Sequence, residues 1–151
     1  MKIILISVGN MREAPLKELA ERYSGRIPHY IPFESIVIPD IPSSKNLSKE
    51  AKKTKEGENI LSKIAVGDHV VLLDERGREM TSREFSALIE RKATTLSRNL
   101  VFIIGGPFGF SQAVYDRADA MMSLSRMTFT HEMARVLTLE QLYRAMTIMR
   151  G

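Results

Sequence analysis

Cysteine is absent from this 151-residue chain. That excludes disulfide staples, a thiolate nucleophile, Cys-ligated zinc and iron–sulfur clusters together. Histidine is scarce too. His29, His69 and His131 lie far apart, so no H-x-x-x-H metal motif exists and no metal is expected. No apolar run approaches the roughly 20 residues of a membrane helix; the longest in the C-terminal half is Leu100 to Ile104. The opening MKIILISVG has one lysine, a short apolar stretch and no small-residue cleavage site, so it reads as a first strand rather than a signal peptide. These absences predict a cytoplasmic protein with no membrane partner.

What is present is ordinary for a globular chain: 44% hydrophobic and 26% charged residues. The length suits a single domain over residues 1–151, with no repeat, linker or low-complexity segment. A net charge of +4 leans toward an anionic partner such as nucleic acid, although many proteins without one are as basic.

Apolar runs alternate with helical periodicity. Ile3 to Val8 reads as a buried strand, and Leu16, Leu19, Ala20 and Tyr23 fall on one helical face. Phe33 to Ile38 is a second strand, stopped by Pro39-Asp40-Ile41-Pro42. The polar stretch from Ser43 offers Ser43, Ser44 and Asn46 as caps for a surface helix reaching Ile64. His69 to Leu73 is a strand closed by a charged turn, Asp74-Glu75-Arg76-Gly77-Arg78. Thr81 and Glu84 stand at capping-box spacing. Leu100 to Ile104, a helix over Ser111 to Ala118, a strand over Ala120 to Leu124 and a helix over His131 to Met149 complete the pattern. Strands alternating with helices predict an α/β fold with a mostly parallel sheet flanked by helices.

Four features carry candidate chemistry. Strand–GGPFG–helix puts bare backbone at a strand's carboxyl end, where open α/β sheets bind ligands; the plain alternative is a turn needing positive φ. The loop Leu124 to Thr130 mixes apolar, hydroxyl and basic residues. It suits a nucleobase held by main-chain groups, or else Thr130 caps the last helix while Met127 and Phe129 fill the core. His131 and Arg135, at i and i+4, share a face near a helix N-terminus, either as an anion contact or as a capped helix with a solvated cation. Asp74 and Glu75 are either acid/base or Mg²⁺-holding carboxylates, or solvated. The lysines from Lys45 to Lys55 would touch RNA phosphates or merely solubilise a helix. Glu140 and Arg144 need nothing beyond a helix-surface pair.

Three blocks together resemble one family: Val71-Leu72-Leu73-Asp74-Glu75-Arg76-Gly77, then Phe102-Ile103-Ile104-Gly105-Gly106-Pro107-Phe108-Gly109, then Ser123-Leu124-Ser125-Arg126-Met127-Thr128-Phe129-Thr130-His131. Arg135 and Glu140-Gln141-Leu142-Tyr143-Arg144-Ala145 follow, and Lys2-Ile3 to Val8-Gly9 and Lys55-Glu56-Gly57-Glu58 also fit, so the resemblance spans the chain. The family is the ribosomal RNA large subunit methyltransferase H group of SPOUT methyltransferases.

The resemblance implies a SPOUT-type fold with a C-terminal trefoil knot. The implied activity is methyl transfer from S-adenosylmethionine to N3 of a pseudouridine in helix 69 of 23S rRNA, on assembled ribosomes and by a homodimer. It implies donor contacts at Leu73, Gly105, Leu124, Ser125, Arg126, Met127, Thr128 and Phe129. His131 and Arg135 are the candidate catalytic residues, orienting or stabilising the deprotonated imide, with His131 as a possible proton acceptor. Relatives commonly carry proline where Thr130 stands, and continue past Gly151 with a Tyr- and His-containing tail. A chain lacking that tail is expected to keep donor binding better than catalysis.

Two other classes compete. A non-catalytic RNA- or ribosome-binding module would bind RNA with no donor. A phosphate-using enzyme would want lysine or metal carboxylates near the glycine loop, and Gly105 to Ser111 holds no charged residue.

Overall fold

A computed structural model describes residues 1–42 and 46–151. In chain order these form β1 (Ile3–Val8), α1 (Ala14–Arg26), a 3₁₀ turn (Ile27–His29), β2 (Phe33–Ile38), α2 (Lys49–Leu61), β3 (His69–Glu79), α3 (Ser82–Thr95), β4 (Leu100–Ile104), α4 (Gln112–Arg117), β5 (Ala120–Ser123) and α5 (His131–Arg150). The strands make one parallel sheet in the order β2-β1-β4-β3-β5.

The near-continuous apolar strands follow from burial on both faces. Ile3, Leu5, Leu100, Phe102 and Ile104 face one core with α1, α3 and α5. Ile4, Ile6, Val8, Val101 and Ile103 face the other with α2 and α4. Phe102 is wholly buried and meets the Phe85 ring edge-on at 5.6 Å. Helix starts follow local chemistry: Thr81 and Glu84 form the capping box of α3, and Thr130 caps α5 by accepting from the Met133 amide at 3.2 Å.

Two expectations about local structure are corrected. The helix after β2 is capped by Ser48, which accepts from the Ala51 amide at 3.1 Å, not by Asn46, whose φ of +55° is left-handed. Ser43, Ser44 and Lys45, the other caps and first lysine of that expectation, lie outside the described residues. The charged turn after Leu73 is instead an outward bulge inside a longer strand. Leu73 and Arg78 both stand opposite Met122 of β5, so residues 74–77 loop out and the strand resumes. Gly77 makes this possible: a Cβ there would lie 2.5 Å from the Met122 nitrogen and 2.6 Å from the Met121 carbonyl carbon. The bulge therefore rests directly on the β5 backbone.

β1 and β4 are neighbours, yet the chain leaves β1 for α1 on one face and β4 for α4 on the other. Such a switch opens a crevice beyond the strands' carboxyl ends.

Candidate active site

That crevice is occupied by a cleft of about 870 Å³. The bulge after β3 (Leu73 to Arg76), the glycine loop after β4 (Gly105 to Gly109), the loop after β5 and the start of α5 form its walls, with Glu13 and Leu16 of the β1–α1 junction closing one side. Distant stretches of sequence meet here because parallel strands end at one edge.

Leu73, Gly105, Leu124, Ser125, Met127, Thr128, Phe129 and His131 all line the cleft. Arg126 is exposed and not among the lining residues. The 124–129 loop is braced from within: Ser123 Oγ donates to the Ser125 carbonyl at 2.8 Å, and Ser125 Oγ accepts from the Met127 amide at 2.9 Å. Met127 is 77% exposed and Phe129 39%, so neither fills the core. Both line the cleft as apolar side chains.

Arg135 is placed differently from its expectation. It is 5% exposed, and its Nη2 donates to the Val8 carbonyl at 3.2 Å and the Gly9 carbonyl at 2.6 Å. The i, i+4 spacing puts it one turn below His131, where the side chain turns inward to the end of β1 and does not line the cleft. Burial lowers its pKa from the ordinary guanidinium value, against the pull of Glu132 and Asp40. Arg135 thus ties the start of α5 to the end of β1.

Its neighbour Glu132 completes the clamp. Glu132 Oε1 accepts from the Arg12 amide at 3.0 Å and the Glu13 amide at 3.1 Å. The hydrogen bond from Glu13 is the chief reason its carboxyl lies below the usual value, with burial opposing and Arg12 adding. Sequence inspection missed this residue, since its partners are 119 and 120 positions away.

Asp74 is hydrogen-bonded rather than freely solvated. It accepts from the Tyr115 hydroxyl at 2.5 Å and the Arg76 amide at 2.9 Å, while the Arg76 guanidinium lies 4.9 Å over the Tyr115 ring. Burial works to raise the Asp74 carboxyl, but the bonds from Tyr115 and Arg76 outweigh it and hold the pKa low. Burial first, then the bond to Asp74, raises the Tyr115 phenol. Two of the α2 lysines are engaged within the chain: Lys53 pairs with Glu50 at 3.2 Å, and Lys49 sits 5.7 Å over the Phe108 ring. Glu140 and Arg144 form the surface pair that their spacing predicts, at 2.8 Å.

Both expectations for the glycine loop hold in part: Gly105 and Gly106 line the cleft, and the turn does use a positive φ. Gly109 takes the positive φ, at +79°, whereas Gly105 and Gly106 do not. Their bare backbone answers to the protein behind them. A Cβ on Gly105 would lie 2.9 Å from the Phe110 ring, and one on Gly106 2.9 Å from the Glu56 carboxylate.

The charges facing the cleft decide what it suits. Glu13, Asp74, Glu75 and Glu132 stand against Arg76 and His131, and no lysine is among the lining residues. A lining in which carboxylates outnumber cationic groups, set among apolar side chains and main-chain groups, disfavours a polyphosphate and suits a flat ligand carrying positive charge. Among the described residues no group of three or more His, Asp or Glu is placed to hold a metal, and no helix is long and apolar enough to cross a membrane.

Comparison with known proteins resolves the class. The family model described as Predicted SPOUT methyltransferase matches residues 1–151. The chain belongs to the SPOUT methyltransferase family. Within it, the chain is 52% identical over 151 residues to the ribosomal RNA large subunit methyltransferase H of Parabacteroides distasonis, covering all of this chain and 96% of that one. The proteins of the same name from Christiangramia forsetii and Cytophaga hutchinsonii are 48% and 46% identical over the full chain, which covers 96% and 97% of them. A crystal structure titled as a probable methyltransferase from Bordetella pertussis superposes with a TM-score of 0.56 at 14% identity, covering 95% of this chain and 93% of that one. That likeness is one of fold. The protein is a methyltransferase of SPOUT-type α/β architecture, and its family membership calls for a methyl donor.

Proposed function

We propose that the protein methylates N3 of a pseudouridine in helix 69 of 23S rRNA on assembled ribosomes, with S-adenosylmethionine as donor. It does so as a cytoplasmic homodimer whose C-terminal segment is threaded into a trefoil knot. One observation carries the donor assignment: the lining of the cleft at the switch point holds more carboxylates than cationic groups, among apolar side chains and main-chain groups. A sulfonium with an attached adenosine matches that lining, and a nucleoside polyphosphate does not. The names of the relatives at 46–52% identity support the ribosomal RNA substrate. A chain of 151 residues covers little rRNA, which favours a second copy and the ribosome completing the substrate site.

The donor is assigned to Leu73, Gly105 and the loop Leu124, Ser125, Arg126, Met127, Thr128, Phe129. When bound, S-adenosylmethionine supplies an electrophilic methyl group on sulfur. The chain's residues do the remainder. Met127 and Phe129 exclude water over the reacting centre, and the loop amides and carbonyls fix orientation, which lowers the barrier by pre-arranging the partners. His131, exposed at the first turn of α5 and lining the cleft, takes the imide proton from N3 as that nitrogen gains the methyl. Arg135 acts one step removed, holding the end of β1 while its neighbour Glu132 holds the Arg12 and Glu13 amides.

The test uses ribosomes from cells lacking this modification, incubated with protein and S-adenosylmethionine. The expected product carries one methyl at N3, read as a reverse-transcription stop because that nitrogen lies on the pairing edge, and as a mass gain in the digested rRNA. His131→Ala is expected to lower turnover about 100-fold while donor affinity stays within twofold. Methyl incorporation elsewhere, or none, would refute the substrate assignment; unchanged turnover in the variant would remove His131 from the mechanism.

A further inference from the structure

α2 is a polar surface helix, yet it buries a carboxylate. Glu56 is 9% exposed, and a buried charge is costly unless hydrogen bonds compensate it. Its Oε1 accepts from the Gly106 amide at 3.2 Å. Burial raises its pKa above the ordinary carboxyl value; the Gly106 bond opposes that and the nearby Asp40 adds to it.

The surrounding residues are shaped to admit this side chain. On Gly106, a Cβ would lie 2.9 Å from Glu56 Oε2 and 3.0 Å from Oε1. Next to Glu56, a Cβ on Gly57 would collide with Ser111 Oγ, the N-cap of α4, so the bare α2 backbone lies close against the start of that helix. Glu56 is therefore held at a fixed distance behind the glycine loop. It does not line the cleft, whereas Gly105 and Gly106 do. In a trans peptide the C=O points away from the N–H of the same unit. With the Gly106 N–H turned back to Glu56, the Gly105 carbonyl faces away from α2.

We infer that Glu56 is a positioning residue for donor binding: it fixes the Gly105–Gly106 peptide so that the Gly105 carbonyl is presented to the cleft as an acceptor for an N–H or O–H of the adenosine portion. This rests on the donor site proposed above. An alanine at 56 frees the peptide to rotate. A glutamine keeps an Oε1 acceptor in place and so keeps the orientation without the charge.

The test is calorimetric titration of the full-length protein with S-adenosylhomocysteine, well below each variant's melting temperature, followed by turnover on ribosomes. Glu56→Ala is expected to bind about tenfold more weakly, the scale of one lost well-placed hydrogen bond. Glu56→Gln should remain within threefold of wild type. In turnover the Glu56→Ala defect should fall on the donor KM, with kcat at saturating donor within threefold, a split that general loss of stability does not produce. Should Glu56→Ala fail to fold, Glu56→Asp withdraws the carboxylate by one methylene and is expected to weaken binding in the same way. Wild-type affinity in the alanine or aspartate variant, equal losses in the alanine and glutamine variants, or a defect confined to kcat would each overturn the role. Absence of binding by the wild-type protein would instead overturn the donor site itself, and this inference with it.

Discussion

Gly77→Ala is expected to be the most damaging single-methyl change in the chain. The added Cβ would sit 2.5 Å from the Met122 nitrogen and 2.6 Å from the Met121 carbonyl carbon, which are main-chain atoms of β5 with no rotamer to yield. Either the bulge lifts away or β5 shifts, and both break the pairing of Arg78 and Glu79 with Met122 and Ser123. Overpacking against backbone of this kind costs on the order of 3 kcal/mol, which in a domain this size lowers the melting temperature by about 6–12 °C. The damage extends to the cleft, because Leu73 to Arg76 form one wall and Leu124 continues from β5 into another. Thermal melting and titration with S-adenosylhomocysteine should both register the change. A melting temperature within 2 °C of wild type would mean that the bulge does not bear on β5 as described.

Arg135→Ala is the second large effect, and here stability and chemistry separate. The substitution removes two buried hydrogen bonds, at 3.2 and 2.6 Å, and leaves the Val8 and Gly9 carbonyls without that donor. Each orphaned buried acceptor costs roughly 1–3 kcal/mol, so a loss of about 3 kcal/mol and a drop of about 6–12 °C are expected. Both bonds come from the single Nη2 atom; Arg135→Lys should recover only part of this, since the shorter lysine side chain ends short of the Nη2 position. Donor affinity of the folded variant, measured well below its melting point, should fall less than tenfold, because Arg135 stands outside the cleft. A variant of wild-type stability with abolished turnover would instead return Arg135 to direct catalysis.

The contrast between these two residues shows where sequence inspection succeeds and where it stops. Signals confined to a few neighbouring residues are legible. The apolar run of β1 announces a buried strand and the uniformly apolar β4 one buried on both faces, Thr81 and Glu84 announce a capping box, and Thr130 announces the start of α5. The GGPFG loop and the 124–129 loop are recognisable as unusual segments, and the topology brings both to one cleft. What remains hidden depends on partners far along the chain. The Asp74–Gly77 stretch reads locally as a turn, and only Met121 and Met122, more than forty residues later, make it a bulge. Glu56 looks like one more charge on a polar helix until Gly106, fifty residues on, turns its amide toward it. Arg135 and Glu132 look like helix-surface charges until folding carries them to the end of β1. Helical spacing fixes which side of a helix a residue occupies, but not what that side meets.

These long-range contacts share a purpose. Glu56 holds the glycine loop from behind, Tyr115 holds Asp74 of the bulge, and the Glu132–Arg135 pair holds the β1–α1 junction. Three of the cleft's walls are each braced by a side chain from a different element, which supports a pocket largely formed before ligand enters.

That a preformed cleft takes an adenosyl sulfonium donor is tested most directly by melting the protein in parallel with S-adenosylmethionine, S-adenosylhomocysteine, ATP and NADPH. A ligand at 100 times its dissociation constant stabilises by about 2.7 kcal/mol, worth roughly 5–10 °C for a domain of this length. The expected result is a shift of that size with the two adenosyl ligands and none with ATP or NADPH, whose phosphates would meet a lining that includes Glu13, Asp74, Glu75 and Glu132. A shift with ATP or NADPH alone, or with no ligand at all, would contradict it.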